Sequence, residues 1–312
     1  MALSQHGTRG LRRIAAAYAA LVRVPNLFTA PPDVIAGAAL AVAAGATVST
    51  SAAAGVAVAS MLLYGGGTTL NDYFDAPVDA EERPERPIPS GQVSRSVAGP
   101  IGITLLASAV GLAIAVAGMA AGIGATAVAC SVILYDGVLK GGPAGFLTMG
   151  ATRGLNVLLG TTATTVSVPS LPVWVFGIVL AVTAYISGVT YMAAREATNP
   201  TRRSVLVAGV GMVTAGGAVV VLLASMDFGA RPLTSVVGVG LAGGFVFTTG
   251  RALGRAYRDL SPETVGPVVG TCVLALVVFD GAVAATAGVR WSLAAIVFLV
   301  PAAGFSRLFD VS

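Results

Sequence analysis

Nine residues at the end of a long apolar run, Asn71-Asp72-Tyr73-Phe74-Asp75-Ala76-Pro77-Val78-Asp79, set three carboxylates where hydrocarbon gives way to polar sequence. Asp72 and Asp75 are three apart and Asp75 and Asp79 four apart, so on a helical path all three point to roughly one face. Carboxylates that close repel one another unless a cation sits between them. Clustered oxygen ligands suit Mg²⁺, which commonly bridges one or two carboxylates to substrate phosphates. The motif therefore reads as a magnesium and diphosphate site, with Asp72, Asp75 and Asp79 as metal ligands and Asn71 beside them.

Further groups suit the same chemistry. In the following stretch, Glu81 to Gly91, Arg83 and Arg86 offer cationic forks to phosphate, and three prolines stiffen the loop. The fourth apolar run ends in Tyr135-Asp136-Gly137-Val138-Leu139-Lys140, of which Tyr135 and Lys140 are candidate diphosphate ligands. The sixth ends in Tyr191, Arg195, Glu196, Asn199, Arg202 and Arg203. Three polar groups lie deeper and need partners, because hydrocarbon supplies none. Arg153 and Asn156 share a helix face; they contact an acceptor or the diphosphate, or Arg153 pairs with Asp280 across the bundle. Asp280 is that structural partner or an acceptor-binding group. Asn26 and Asp33 stand at the entrance of the first run. Each assignment has a plainer rival: a solvated acidic face, arginines that follow membrane topology, a lysine snorkelling at a helix end, or a surface ion pair for Glu196.

These residues are carried by an unusual chain. Hydrophobic residues make up 55% of the 312 positions and charged residues 10%, with a mean hydropathy of +0.86. No water-soluble domain is built this way, so the chain is a polytopic membrane protein. Apolar runs near the ~20 residues that cross a bilayer fall at roughly 27–47, 52–73, 96–117, 120–139, 147–166, 172–194, 204–226, 233–252, 265–287 and 291–309, the last pair being the least defined. Cys130 and Cys272 lie far apart in apolar runs and indicate neither a disulfide nor a thiolate metal site. His6 is the only histidine and sits in the polar N-terminal tail, which argues against a histidine-ligated metal or a histidine general base. No cleavable signal is evident.

Basic residues orient the runs. With the N-terminus inside, 15 of the 18 Lys and Arg fall on the cytoplasmic side, Arg231 and Arg290 fall outside, and Arg153 is intramembrane. The polar connection 74–95 then lies inside with both termini. An integral, multi-pass protein of a bacterial-type cell inner membrane is expected. The net charge of +4 reflects this topology and contact with membrane lipids rather than nucleic acid, since no basic stretch carries interleaved aromatics.

Mg²⁺ and cationic side chains stabilise the charge that develops when an allylic diphosphate leaves. The remaining carbocation needs a water-poor chamber, with charged groups kept to its mouth. Here the chain resembles the UbiA superfamily of intramembrane prenyltransferases. The resemblance rests on Arg23-Val24-Pro25-Asn26, the Asn71-Asp72-x-x-Asp75-x-x-x-Asp79 signature, the Arg-Pro-x-x-x-Gly sequence from Arg86 to Gly91, and Tyr135 to Lys140, and covers roughly residues 20–290. It implies an all-α, nine-helix core with a candidate tenth span and a central cavity opening to the cytoplasm. Residues 1–26 would form a cytoplasmic segment and 27–312 one transmembrane domain with motif-bearing halves at about 27–140 and 147–312.

The second motif departs from the family pattern, in which an Asp-x-x-Asp-type pair follows the sixth span. Here Glu196 takes the first position and Asn199 the second, which lowers the negative charge available to a second Mg²⁺. Arg195 partly substitutes for that ion. With Arg153-Gly154-Leu155-Asn156 and Asp280, this pattern is similar to EboC-type proteins. The implied roles are catalysis by Asp72, Asp75, Lys140 and Glu196, metal binding by Asp72, Asp75, Asp79 and Glu196, and diphosphate binding by Asn71, Arg83, Arg86, Tyr135, Lys140, Arg195 and Asn199. Asn26, Arg153, Asn156 and Asp280 would meet the acceptor. The expected reaction is Mg²⁺-dependent prenyl transfer from a polyprenyl diphosphate to an acceptor not identified by sequence. A membrane terpene cyclase is the chemically close alternative, and an ion-coupled transporter or lipid-binding scaffold the distant one.

Overall fold

The computed structural model describes residues 14–196, 200–225 and 232–306. Within these the chain is a bundle of helices joined by short turns: α1 (Val24–Leu27), α2 (Pro31–Ala43), α3 (Thr50–Glu82), α4 (Arg95–Leu134), a π-helical turn (Tyr135–Leu139), α5 (Pro143–Thr161), α6 (Val173–Glu196), α7 (Arg202–Ala224), α8 (Pro232–Arg258), α9 (Pro262–Ala284), α10 (Val289–Ile296) and α11 (Leu299–Ser306). Seven stretches among the described residues are long and apolar enough to cross a membrane. One of them, Arg95–Leu139, is two spans in tandem: Gly118 at φ 78° and ψ −171° breaks α4 into two arms, a conformation open to glycine because it lacks a Cβ. The break falls where the two apolar runs meet. α5 is 19 residues long, and Arg153 and Asn156 make it less apolar than its neighbours.

Two expectations need correction. The second span does not stop near residue 73, because α3 continues to Glu82 through Pro77. A proline in mid-helix frees the carbonyl four residues earlier. That carbonyl, on Tyr73, accepts a hydrogen bond from Arg95 Nε at 3.1 Å, and the Arg95 guanidinium also lies 4.8 Å from the centre of the Tyr73 ring. The acidic motif is therefore helical throughout. The last apolar run, for its part, is not one helix. It is broken at Val297–Phe298 into α10 and α11, each of eight residues, and α11 returns to α1, where Phe305 stacks on Phe28 at 5.5 Å.

Small residues set the helix spacing, as lipid gives helices no hydrophobic drive to associate and close van der Waals approach must supply it. A Cβ on Gly37 of α2 would stand 1.8 Å from the Val157 carbonyl oxygen of α5, and one on Gly160 would stand 2.1 Å from that of Val34. α2 and α5 thus cross backbone to backbone. The core of the second half is aromatic: Tyr185, Phe245 and Phe279, all fully buried, pack edge to face at 5.1 and 5.4 Å. The Tyr185 hydroxyl donates to the Cys272 carbonyl at 2.8 Å, which satisfies it away from water. Outward faces are apolar as well, with Leu180, Val221, Val236 and Phe247 each two-thirds exposed or more. Such a surface suits lipid, and the protein is an integral, multi-pass membrane protein.

Candidate functional site

A cavity of about 690 Å³ opens between α3, the end of α4, α5 and α6. Its mouth is polar, its walls are largely apolar and its inner end is polar again. On the last turns of α3, Asn71, Asp75, Asp79 and Glu82 line it, joined by Arg23, Arg83 and Arg86. The π-helical turn widens the end of α4 by one residue, a feature frequent at functional sites, and Tyr135, Asp136 and Lys140 all reach the lining. Further in, Leu63, Val128, Val132, Phe146 and Met149 form the wall.

The three carboxylates of the motif divide between two sets of cations. Asp72 is buried and accepts from Arg23 at 2.8 Å and from Arg86 at 3.4 Å. Arg86 also donates to Asp79 at 2.8 Å, so one guanidinium links acids two turns apart. Asp75 pairs instead with Lys140. Asn71 connects the sets: its side-chain oxygen accepts from Arg23 at 3.4 Å and its amide donates to Asp136 at 2.8 Å. Arg23 has φ 49° and ψ 57°, the one left-handed non-glycine among the described residues. Such a conformation costs of order 1 kcal/mol, and here it directs the side chain toward Asp72. Burial, the largest single influence, opposes the charge on Arg23, yet Asp72, Tyr64 and Asp79 together outweigh it and the pKa of Arg23 is raised.

Other expected residues sit at the edges. Arg83 lies close enough to Glu196 for an attractive interaction across the mouth. Glu196 itself is half-buried, falls outside the cavity lining and rests against Gly266 of α9, where an added Cβ would meet its Oε1 at 2.3 Å. Arg195 is exposed, 5.8 Å from the Tyr191 ring, which in turn leans on Phe146 at 5.3 Å. Asn199 lies outside the described residues. Asn26, in α1, also falls outside the lining, and its carbonyl accepts from the Thr29 hydroxyl at 2.8 Å. Among the described residues no three acidic, histidine or cysteine side chains stand close enough to cage a metal unaided.

Arg153 and Asn156 line the inner end of the cavity together with Ser60. Arg153 pairs with Asp33 at 3.1 Å rather than directly with Asp280, and donates to the Thr29 carbonyl at 2.7 Å. Asn156 donates to Asp33 and to the Ala30 carbonyl, at 2.8 and 3.0 Å, and accepts from Ser60 at 2.8 Å. Asp280 is fully buried behind this group and does not reach the cavity. Two lining residues, Arg23 and Asp136, stand inside sequence segments that mark the site, Asp136 as the carboxylate of its segment, but neither is assigned a role by sequence. Their partners lie 49 and 65 positions away, and the only sequence signal is their adjacency to Asn26 and Tyr135.

The sequence model of the UbiA prenyltransferase family matches residues 34–253. A digeranylgeranylglyceryl phosphate synthase of Ignicoccus hospitalis is 36% identical over 151 residues, 47% of this chain and 47% of that protein. One from Methanothermobacter thermautotrophicus is 53% identical over 57 residues, 17% of this chain and 20% of its own. The chain thus spans about half the length of the first of these relatives and less of the second. Among solved structures, one concerning digeranylgeranylglyceryl phosphate synthase in membranes superposes with a TM-score of 0.61 at 19% identity, over 89% of this chain and 99% of that one. A UbiA homolog from Archaeoglobus fulgidus bound to GPP and Mg²⁺ superposes with a TM-score of 0.57 at 14% identity, over 90% and 99%. These two likenesses establish a common fold.

Proposed function

The chain belongs to the UbiA prenyltransferase family, and from that premise we propose that it transfers a prenyl group from a polyprenyl diphosphate to an acceptor within the membrane, with Mg²⁺. The observation that carries this reading is the division of one cavity into a charged mouth and apolar walls beneath it. The mouth fits the ion. Asp75, Asp79 and Asn71 offer hard oxygen atoms, no histidine or cysteine among the described residues lines the cavity, and that donor set is the one Mg²⁺ takes. A site with few protein ligands suits an ion that completes its shell with phosphate oxygens.

In this reading Lys140 and Arg86, paired with Asp75 and Asp79, turn to phosphate oxygens and leave those carboxylates to the ion. Arg83 adds a third cation. Asp72 holds Arg23 and Arg86 in place, and Glu196 balances Arg83 at the rim. Mg²⁺, when bound, neutralises the diphosphate and stabilises the charge on the leaving group. Leu63, Val128, Val132, Phe146 and Met149 keep water from the allylic cation until the acceptor captures it. The bias of Lys and Arg supports a mouth facing the cytoplasm, with both termini on that side of a bacterial-type inner membrane. The name of the relatives points to a glyceryl phosphate lipid as acceptor. The whole of 27–312 serves as one transferase domain.

A product assay tests the reading. Purified protein given labelled geranylgeranyl diphosphate, Mg²⁺ and a glyceryl phosphate lipid as acceptor should release diphosphate as the acceptor is prenylated, and Asp75→Ala should abolish the release. A cyclic hydrocarbon or alcohol formed without acceptor would instead identify a terpene cyclase. Absence of any metal-dependent release by the wild type would contradict both and leave an ion-coupled transporter or lipid-binding scaffold.

A further inference from the structure

Behind the inner end of the cavity lies a cluster of charge that diphosphate chemistry does not use. Asp33 of α2 and Asp280 of α9 are each fully buried, and among the described residues the cation paired with this cluster is Arg153. The hydrogen bonds do not balance if both acids are anions. Asp33 Oδ2 accepts from Asn156 and from Arg153. Asp33 Oδ1 and both oxygens of Asp280 accept from no donor, although the two carboxyl groups meet within hydrogen-bonding reach of each other. Two carboxylates with one guanidinium would leave a net negative charge and three bare oxygens in a site closed to water, at a cost of several kcal/mol. One proton between the acids removes both faults: the O–H of one donates to an oxygen of the other, and the single remaining negative charge cancels Arg153.

We propose that Asp33 and Asp280 hold one proton between them and act as positioning residues that neutralise Arg153, so that the floor of the cavity carries no net charge. Along α3 the floor at Ser60 stands about 16 Å below Asn71, by the rise of an α-helix. An uncancelled arginine there would compete with the mouth for diphosphate and admit the substrate in the wrong sense. A neutral floor accepts a prenyl tail or an uncharged oxygen and leaves the anion to Arg83, Arg86 and Lys140. This consequence rests on the reading of the cavity as a prenyl diphosphate site; the proton does not, and its test involves no turnover.

Infrared difference spectra of the protein in lipid nanodiscs at neutral pH should contain the C=O stretch of a buried carboxylic acid. Asp280→Asn and Asp33→Asn should each lose that band, since either variant leaves a single carboxylate in the cluster with no second acid to share a proton. Each single variant should also melt close to the wild type, because the amide N–H₂ replaces the shared proton. The double variant, with Arg153 unpaired, should melt well below both. A wild-type spectrum without the band, a band unchanged in both single variants, or single variants that melt as low as the double one would overturn the proposal. Failure of the diphosphate-release assay with these spectra intact would strike the enzymatic reading alone.

Discussion

Arg86 and Lys140 both hold acids of the Asn71–Asp79 motif, but at different depths, and this separates their effects. Arg86 links the buried Asp72 to Asp79. Arg86→Ala should destabilise the protein by about 1–3 kcal/mol, the cost of stripping a partner from buried acceptors, as read from the midpoint of thermal or denaturant unfolding in detergent. Lys140, with its side chain 35% exposed, holds Asp75 where water reaches. Lys140→Met should therefore cost less than about 1 kcal/mol of stability while weakening diphosphate binding at least tenfold, a split that a titration and a melting curve resolve together. The motif's acids, Arg83, Arg86 and Lys140 are legible in sequence because residue type and local spacing announce them. The pairing of Arg23 with Asp72, of Asp136 with Asn71 and of Arg153 with Asp33 is not, because each is defined by a neighbour that only folding brings near.

At the scale of helices, backbone contact between α2 and α5 fixes the inner end of the cavity. Gly160→Ala would drive a Cβ into the Val34 carbonyl and should cost about 1–3 kcal/mol by overpacking. Gly240→Ala in α8, where an added Cβ meets nothing within 4 Å, should leave the melting temperature unchanged or higher. The connection into α9 carries a pH signature. Asp259 is fully exposed and accepts from the Thr264 hydroxyl at 2.5 Å and the Ser261 amide at 3.0 Å, and these bonds, the Thr264 contact first, lower its pKa. A lowered folded-state pKa means that its small contribution is present above the unfolded value and fades as pH falls through the folded one. Asp259→Asn should melt slightly lower than wild type at neutral pH and together with it in acid. Apolar runs made most spans legible, down to the uncharged break at Gly118. They failed at α3, where Pro77 and the charges after it read as loop, because the Arg95 bond that repairs the Tyr73 carbonyl is a tertiary contact. They failed again at α10 and α11, since apolar composition alone does not reveal a helix broken in the middle.

Across the whole molecule, charge is sorted by depth. Every acid of the motif has a cationic partner at the mouth, the walls below are apolar, and the inner polar cluster closes on itself through Asp33, Arg153 and Asn156. Under the proposed function, such sorting orients an amphipathic diphosphate in one direction, with the anion at the rim and the hydrocarbon inside. The departure at Glu196 fits this arrangement, because Glu196 rests against Gly266 outside the lining, within electrostatic reach of Arg83, instead of joining Asp75. The account therefore predicts a metal-dependent site centred on Asp75 and Asp79. Its most direct test is calorimetric titration of the protein in nanodiscs with an unreactive geranylgeranyl thiolodiphosphate. Binding should require Mg²⁺ and fall at least tenfold in Asp75→Ala and in Asp79→Ala. Equal affinity with and without divalent cation, or affinity untouched by both substitutions, would contradict it.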